Sequence, residues 1–302
     1  MYLTHAEAET RTIIEPILKK ILNTTGALNY QKITSANAFV YCIDNSYIKF
    51  PTSMKAEKAL RREISISNFL SNRVSFSVPY FSYGQITATI NHKECNLFYA
   101  TSQKIRGIPL YQATMRAIPH ESFTHSLSST LNELHSIPTE EMSTLKIPTF
   151  NARLGKIIHA TIQSTDVSLQ LKKQLVKKIR THLGNEKDVL CHRDLHGANV
   201  FVNPMTGHVT GLLDFGMAEL APPAIEISDF GVYANPHLTS KIKQLYTLNS
   251  SRTLGDLYLY HAGDRNKWLQ KLIISGAKEL NIPIKIDAQK IIPHSQHIYT
   301  KH

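Results

Sequence analysis

The order of apolar and polar positions predicts a strand-rich first third of the chain and a mainly helical remainder. Apolar residues recur at helical spacing from about residue 5 to residue 22, which predicts an amphipathic helix packed on the N-terminal part of the structure. Two apolar runs, 38–43 and 47–50, flank turn residues and predict a β-hairpin. Helical spacing returns over 54–70, and a further strand is predicted at 97–102. The remainder predicts helices at 121–135, 151–162 and 166–183, and three more between 238 and 280.

A polar loop between apolar runs interrupts this helical part and holds the residues best suited to chemistry. Residues 200–202 predict a short buried strand, a turn follows at 203–207, and a second apolar run delivers Asp214. The resulting hairpin places Asp194, Asn199 and Asp214 at fixed positions. Two carboxylates and an amide form an oxygen-rich set, and such ligands suit Mg²⁺, which also binds substrate phosphates.

The same residues fit two linked kinase motifs in the right order. His192-Arg193-Asp194 with Asn199 matches the catalytic-loop pattern H-R-D-x-x-x-x-N, and residues 214–216 match D-F-G. The alternative is a polar hairpin whose carboxylates only cap turns, and it does not explain why Asn199 and Asp214 both fit. Only a short hairpin separates the two motifs, and no long activation segment ending in A-P-E follows.

The form His-x-Asp-Leu-His-x-x-Asn, followed by Leu-Leu-Asp-Phe-Gly, resembles the aminoglycoside phosphotransferase family of small-molecule kinases. The resemblance covers about residues 34–235 and implies an α+β, bilobal, protein-kinase-like fold. An antiparallel sheet with helices would form the N-terminal lobe, and the C-terminal lobe would be mainly helical. The segment Gly107-Ile-Pro-Leu110 is the composition break that suggests a linker, so we expect lobes at 1–105 and 106–302 with a boundary near Arg106.

The resemblance also implies a nucleoside triphosphate, ATP or GTP, bound by the first lobe. Lys49 has apolar neighbours on a predicted strand, so it is either an edge-strand gatekeeper or the lysine that pairs with the phosphates. The match of Tyr-Ile-Lys-Phe-Pro to the family's strand favours the second role. Glu63 is the expected ion-pair partner of Lys49, with Glu57 as the alternative and a solvated surface glutamate as the third possibility.

The resemblance also implies further nucleotide-binding residues, from the positions that they occupy in the family's sequence pattern. The turn before the first hairpin contains no glycine, but Ser35 and Asn37 can donate hydrogen bonds to phosphate oxygens. Backbone groups around Gln103 and Ile105 are expected to receive the edge of the adenine or guanine base.

Roles in the second lobe follow from the same resemblance. Asp194 is expected to accept or orient the proton of the acceptor hydroxyl, and Asn199 and Asp214 to hold Mg²⁺. His192 is expected to pack under the loop and Asp229 to support it through hydrogen bonds, while the role of His196 stays open. The C-terminal helices would form the acceptor pocket, for which four acidic groups are candidates: Glu219, Glu226, Asp256 and Asp264.

Charge and composition limit the class of acceptor molecule but do not identify the acceptor. The 302 residues carry a net charge of +11, which favours anionic ligands, whereas a polycationic aminoglycoside antibiotic needs an acidic pocket. The lysines of residues 172–180 are most simply a solvated helix face, so nucleic acid is not the expected partner. Three widely spaced cysteines argue for a reducing compartment, and we expect a cytoplasmic protein with no secretory signal or membrane span.

Three functions therefore stay open, of which the first is favoured. It is phosphoryl transfer from ATP or GTP to a hydroxyl of a small molecule, which would confer antibiotic resistance if that molecule is an aminoglycoside. The second is a kinase acting on a protein, a lipid or another anionic acceptor. The third is a non-catalytic, nucleotide-binding regulator, favoured by the missing glycines and opposed by the intact Lys49, Asp194, Asn199 and Asp214.

Overall fold

The computed structural model describes residues 2–33, 35, 37–114, 118–161, 168–182, 187–223, 225–226, 267–280 and 282. The chain divides into two compact units. Unit 1 consists of residues 1–106 and 211–216, and unit 2 of residues 107–210 and 217–302. Residues 211–216 therefore belong to the first unit although unit 2 flanks them on both sides in sequence.

A five-stranded antiparallel sheet forms the centre of unit 1. Its strands are β1 (Tyr30–Ile33), β2 (Ala38–Ile43), β3 (Ser46–Pro51), β4 (Phe81–Ile90) and β5 (Lys93–Gln103), in the order β1-β2-β3-β5-β4. The hairpin predicted from residues 38–50 is β2 and β3, which turn at Asp44 with a left-handed φ of 48°. The predicted strand at 97–102 lies within β5.

Two helices cover one face of this sheet where the sequence predicted a single helix. They are α1 (His5–Glu9) and α2 (Arg11–Leu22), separated by Thr10 in an extended conformation. The prediction of one continuous helix is therefore wrong. The hydroxyl of the buried Tyr41 donates a 2.6 Å hydrogen bond to the Ala8 carbonyl, an acceptor that a continuous helix would use internally. Apolar side chains of both helices still pack on the sheet, so the predicted apolar face is present on each helix although the helix is interrupted at Thr10.

Helix α3 (Met54–Leu70) packs on the opposite face and matches its predicted bounds. It begins at Ser53, whose hydroxyl accepts from the Ala56 backbone N–H at 3.2 Å. Side chains alternate along β3, so Ile48 and Phe50 join the core under α1 and α2 while Lys49 points to the α3 side. The alternation of side chains along β3 therefore places Lys49 on the side of the sheet where α3 carries Glu63.

Unit 2 is mainly helical. Within the described residues its helices are α4 (Leu110–Thr114), α5 (His120–Ser136), a 3₁₀ helix (Thr139–Leu145), α6 (Phe150–Thr161), α7 (Leu169–His182) and α8 (Lys267–Glu279). The helices predicted at 121–135, 151–162 and 166–183 correspond to α5, α6 and α7. Of the three helices predicted between 238 and 280, α8 lies in the described part of the chain, and residues 227–266 lie outside it.

Short strands in unit 2 frame the predicted catalytic loop. They are β6 (Ile108–Pro109), β7 (Val189–Cys191), β8 (Val200–Val202), β9 (Val209–Leu212) and β10 (Glu219–Ala221). Strand β7 pairs with β10, and β6, β8 and β9 form a three-stranded sheet in that order. The loop therefore leaves β7 and enters β8, and β9 runs from unit 2 into unit 1.

Candidate active site

The site residues of unit 1 centre on an ion pair between β3 and α3. Lys49 Nζ lies 2.7 Å from Glu63 Oε1, and the Glu63 side chain is 4% exposed. The alternative partner, Glu57, instead accepts from Arg61 at 2.8 Å and from the Tyr2 hydroxyl at 3.1 Å. The structure therefore brings Lys49 together with Glu63 and not with Glu57.

Burial and neighbouring charge shift both members of this pair. Burial raises the pKa of Glu63 to about 7, and the negative charge of Asp214 adds to this effect against the attraction of Lys49. Burial alone would lower the pKa of Lys49, but the carboxylates of Glu63 and Asp214 outweigh it and raise that pKa. Lys49 is consequently a fixed cation, while Glu63 ionises close to neutral pH.

Asp214 is exposed and has a left-handed φ of 64°. Its Oδ1 accepts from the Gly216 N–H at 3.3 Å, and the Gly216 carbonyl accepts from Arg62 of α3 at 3.2 Å. Upstream, the Leu212 N–H donates to the Ser77 carbonyl at 3.0 Å. These bonds hold residues 211–216 within unit 1 and present the Asp214 carboxylate to solvent.

The other predicted nucleotide-binding positions lie at the ends of strands. Ser35 and Asn37 are exposed before β2, and the Asn37 carbonyl accepts from Thr52. Gln103 ends β5 and is exposed, and Ile105 is half-buried in the segment that follows. Their contacts with a nucleotide stay predictions.

The catalytic loop of unit 2 holds Asp194 and Asn199 together. The Asn199 Nδ2 donates to the Asp194 carbonyl at 2.9 Å and approaches its Oδ2 at 3.4 Å. Because the amide nitrogen faces Asp194, Oδ1 is the Asn199 atom available to a cation. The Asp194 side chain is 23% exposed, as a residue that meets an acceptor must be.

Two histidines line the same loop with different degrees of burial. His192 is fully buried, and its Nδ1 accepts from the Asp194 N–H at 3.2 Å, so its proton belongs on Nε2. His196 Nδ1 accepts from the Ala198 N–H at 3.2 Å, and its Nε2 lies 3.6 Å from Asp194 Oδ2. His196 is therefore the histidine that reaches the Asp194 carboxylate.

A buried glutamate, which the sequence offered only as a candidate for the acceptor pocket, supports the catalytic loop. Glu226 is fully buried and accepts hydrogen bonds from the backbone N–H groups of His192 and Arg193. Burial alone would raise the pKa of Glu226, but His135, His192 and Arg193 lower it. Asp229, to which the sequence assigned this kind of support, lies outside the described residues.

Glu219 is likewise buried, at 4% exposure, and pairs with two arginines. Its carboxylate accepts from Arg193 Nε at 3.0 Å and from Arg153 Nε at 3.0 and 2.9 Å. Burial lowers the pKa of Arg193 to about 10, helped by the nearby charge of Arg153. Glu219 and Glu226 were two of four unranked candidates for the acceptor pocket, and the structure disfavours them because both carboxylates are buried and bonded inside the unit. Asp256 and Asp264 lie outside the described residues.

Each unit by itself presents donor atoms suited to this chemistry. Asn199 Oδ1 in unit 2 and the exposed Asp214 carboxylate in unit 1 are each a hard oxygen ligand of the kind that Mg²⁺ prefers. Asp194 is a part-exposed carboxylate with a backbone fixed by neighbouring hydrogen bonds. Lys49 adds a positive charge suited to phosphate oxygens.

Comparisons with known proteins bear on the family and the fold of the chain. The model of the phosphotransferase enzyme family (APH) matches residues 18–241. A structure of the GDP complex of wild-type aminoglycoside 2'-phosphotransferase-IIIa is similar with a TM-score of 0.64 and 14% identity, covering 89% of this chain and 90% of that chain. Macrolide 2'-phosphotransferase MphH from Brachybacterium faecium gives a TM-score of 0.57 at 15% identity, covering 91% and 100%.

A third similar structure is an aminoglycoside phosphotransferase, APH(3'')-Id from Streptomyces rimosus, in complex with ADP and streptomycin. It has a TM-score of 0.56 and 16% identity, covering 87% of this chain and 98% of that chain. No curated protein matches the chain. At these identities the structures show the kinase-like α+β fold, which confirms the predicted fold class. The family model covers well over half of the sequence, and the chain therefore belongs to the phosphotransferase enzyme family.

Proposed function

We propose that this protein transfers the γ-phosphoryl group of ATP or GTP to a hydroxyl group of a small molecule. The observation that carries the proposal is the set of fixed, charged side chains: the Lys49–Glu63 ion pair beside Asp214, and the Asp194–Asn199 loop. These are the parts that phosphoryl transfer needs, because its transition state is loose and highly charged, so positioning and charge neutralisation supply most of the acceleration.

Each side chain has a separate task in this proposal. Lys49 neutralises the α and β phosphates, and Glu63 holds Lys49 in place. Asp194 accepts or orients the proton of the attacking hydroxyl, and His196, 3.6 Å from its carboxylate, is placed to touch the acceptor or that carboxylate. Ser35, Asn37, and the backbone around Gln103 and Ile105 bind the phosphates and the base.

Asn199 and Asp214 are the residues that would hold Mg²⁺. The bound ion would supply charge neutralisation on the transferred group. Asn199 is suited to this because its amide nitrogen is already bonded to Asp194. Asp214 is suited because the backbone on either side of it is fixed, at Leu212 by Ser77 and at Gly216 by Arg62, while its carboxylate is exposed.

The first prediction concerns the proton acceptor. Asp194→Ala should lower kcat for phosphoryl transfer by about 10²- to 10⁴-fold, the range expected for loss of general base catalysis. Nucleotide affinity, measured by calorimetry with Mg²⁺ and a non-hydrolysable analogue, should stay within about two-fold, because Lys49 and Asp214 are untouched. Full turnover in this variant would remove Asp194 from the catalytic role.

A panel of candidate acceptors, each tested with ATP and with GTP, would identify the acceptor. The parent protein is assayed for Mg²⁺-dependent turnover with aminoglycosides, macrolides, other hydroxylated small molecules and peptides. Antibiotics enter the panel because the similar proteins are aminoglycoside and macrolide phosphotransferases. Absence of any Mg²⁺-dependent turnover would favour a non-catalytic nucleotide-binding regulator instead.

A second candidate acceptor class is anionic. The net charge of +11 opposes the capture of a polycation by long-range attraction and favours an acidic peptide, a lipid headgroup or another anionic molecule. Phosphate incorporation into acidic acceptors but not aminoglycosides would support this candidate.

A further inference from the structure

Arg193 adopts a backbone conformation that its residue type rarely takes. Its φ of 68° is left-handed, where a Cβ atom crowds the neighbouring backbone, and glycine, asparagine and aspartate are the residues usually found there. The residue directly precedes Asp194 and is only 8% exposed. Such a conformation persists when the surrounding structure holds it in place.

Glu219 provides the first restraint. Its Oε2 accepts from Arg193 Nε at 3.0 Å. Strands β7 and β10 pair with Glu219 opposite Cys191, so the sheet itself carries the carboxylate to a point two residues from Arg193. The pair is thus fixed by the strand ladder and not by the loop alone.

Arg153 binds the same carboxylate from a different element. It lies in the first turn of α6, and its Nε contacts both Glu219 oxygens at 3.0 and 2.9 Å. Its own N–H donates to the Thr149 carbonyl, and Thr149 forms a bridge with Leu220 of β10. One buried carboxylate is therefore shared by two guanidinium groups, and removing it would leave Arg193 buried without that compensation.

The backbone of Arg193 is restrained as well as its side chain. Its N–H donates to Glu226 Oε1 at 3.1 Å. Two buried carboxylates, from different segments, consequently fix the residue whose dihedral angles set the direction of Asp194. The Asp194 N–H is in turn bonded to the ring of His192.

We infer that Arg193 is a positioning residue, and that the ion triad Arg193–Glu219–Arg153 holds the left-handed turn which places the Asp194 carboxylate against the acceptor hydroxyl. Arg193 acts through Asp194 and does not itself touch substrate. The role rests on the proposed phosphoryl transfer, in which Asp194 must be oriented closely for the reaction to proceed.

Arg193→Gly separates positioning from stability. Glycine adopts a left-handed φ without strain, so the backbone loses nothing by the exchange, but the side-chain anchor disappears. We expect kcat to fall by at least about 10-fold while the KM for nucleotide changes by less than about two-fold, since the nucleotide-binding residues are untouched. Arg193→Lys should recover part of kcat, because lysine keeps the charge but lacks the fork of the guanidinium.

Glu219→Gln tests the triad from the other side without a change in shape. It should lower kcat to a similar extent, and the double variant with Arg193→Gly should be no slower than the slower single variant, because both remove one interaction. Arg180→Gln is the matched control, since it breaks a partly buried pair with Asp188 at 2.5 Å on α7 and should leave kcat unchanged. An unchanged kcat in Arg193→Gly, or a double variant whose losses multiply, would overturn the positioning role.

Amide hydrogen exchange gives a readout that needs no turnover. In Arg193→Gly the exchange of residues 192–199 should become at least about 10-fold faster while the β4–β5 hairpin stays as in the parent, because only the loop loses a restraint. If the parent protein transfers no phosphate, the proposed function fails, yet the exchange comparison still decides whether the triad holds the loop. Unchanged exchange in the loop would contradict it.

Discussion

Single side chains in this protein are held by partners that are distant in sequence. Glu63 and Lys49 are separated by 14 positions, and Glu219 and Arg153 by 66. The first pair was predictable because the kinase pattern names both residues and α3 is regular enough to be placed by its period. Glu219 and Glu226 could not be separated from the other acidic candidates, because a buried, bonded glutamate and one in an open pocket differ in sequence only through their immediate neighbours. An acid flanked by two isoleucines, as Glu226 is, was the available signal.

The pKa of Glu63 predicts a pH-dependent rate. As the pH falls through about 7, Glu63 takes up a proton and no longer holds Lys49 by charge, so kcat/KM should decline on the acidic side of neutrality. Glu63→Gln should be slower than the parent, but its rate should lack this acidic limb. A pH profile of kcat/KM for both proteins checks the expectation, and an unchanged limb in the variant would assign it to another group.

The same pKa predicts a change in stability with a definite sign. The folded value of about 7 exceeds the ordinary value of 4.5, so the folded state binds the extra proton between these limits. The stability that Glu63 contributes is therefore fully present below pH 4.5 and is lost as the pH rises through 7. The free energy of unfolding of the parent relative to Glu63→Gln, from urea titrations, should decline over that window. A difference that is flat or rises with pH would show that Glu63 is ionised throughout.

Asp214 and Lys49 should respond differently to magnesium. Asp214→Ala removes an oxygen ligand from the proposed cation site, so high Mg²⁺ should restore its rate in part, while Lys49→Ala should not respond. We expect the Asp214 change to be the more damaging at ordinary Mg²⁺ and Glu63→Ala to be milder than either. Rates measured across a Mg²⁺ titration test this order. Parental turnover by Asp214→Ala at ordinary Mg²⁺ would show that this carboxylate is not a metal ligand.

At the scale of secondary-structure elements, the spacing of apolar residues predicted where the elements lie better than it predicted whether a helix is continuous. Strands β2 and β3 and helix α3 were predictable because alternation, turn residues and helical spacing are local signals. The break at Thr10 was not, since it depends on the hydroxyl of Tyr41, 33 positions away, bonding the Ala8 carbonyl. The pairing of β7 with β10 could not be predicted either, because a strand of three residues is too short to show an alternation of apolar and polar positions.

Substitution of Gly107, the residue directly before β6, is predicted to destabilise the protein. It has a φ of 99°, and a Cβ there would lie 2.7 Å from the Val202 carbonyl oxygen and 2.3 Å from Thr210 Oγ1. Gly107→Ala should lower the free energy of unfolding by about 1–3 kcal/mol through backbone strain, with the added clash increasing the loss. Thermal and urea unfolding measure the change.

Gly155 provides the control for that substitution. It lies in α6, and a Cβ at this position would meet nothing within 4 Å. Gly155→Ala should therefore be neutral or raise the free energy of unfolding by about 0.5–1 kcal/mol through helix propensity. Equal losses from the two exchanges would mean that the conformation of Gly107 is not the cause.

At the scale of the whole molecule, the net charge of +11 should influence how anionic ligands arrive. No helix within the described ranges is long and apolar enough to cross a membrane. Raising salt from about 50 mM to about 500 mM should increase the KM for nucleotide, because screening weakens long-range attraction. Lys173→Glu with Lys177→Glu replaces two positive charges by two negative ones on the exposed side of α7, which lowers the net charge from +11 to +7 and should flatten the salt dependence. Identical salt curves for both proteins would show that attraction is local to the site.

The return of residues 211–216 to unit 1 has a consequence for biosynthesis. Translation proceeds from the N-terminus, so most of unit 1 leaves the ribosome before the segment that the Ser77 carbonyl and Arg62 bind has been made. A nascent chain of 106 residues contains all five strands of the sheet, but it still lacks Asp214 and the strand end beside Ser77. The first unit to begin folding is thus completed only after about twice its own length has been synthesised, and nascent-chain proteolysis should detect its full protection only once residue 216 has emerged.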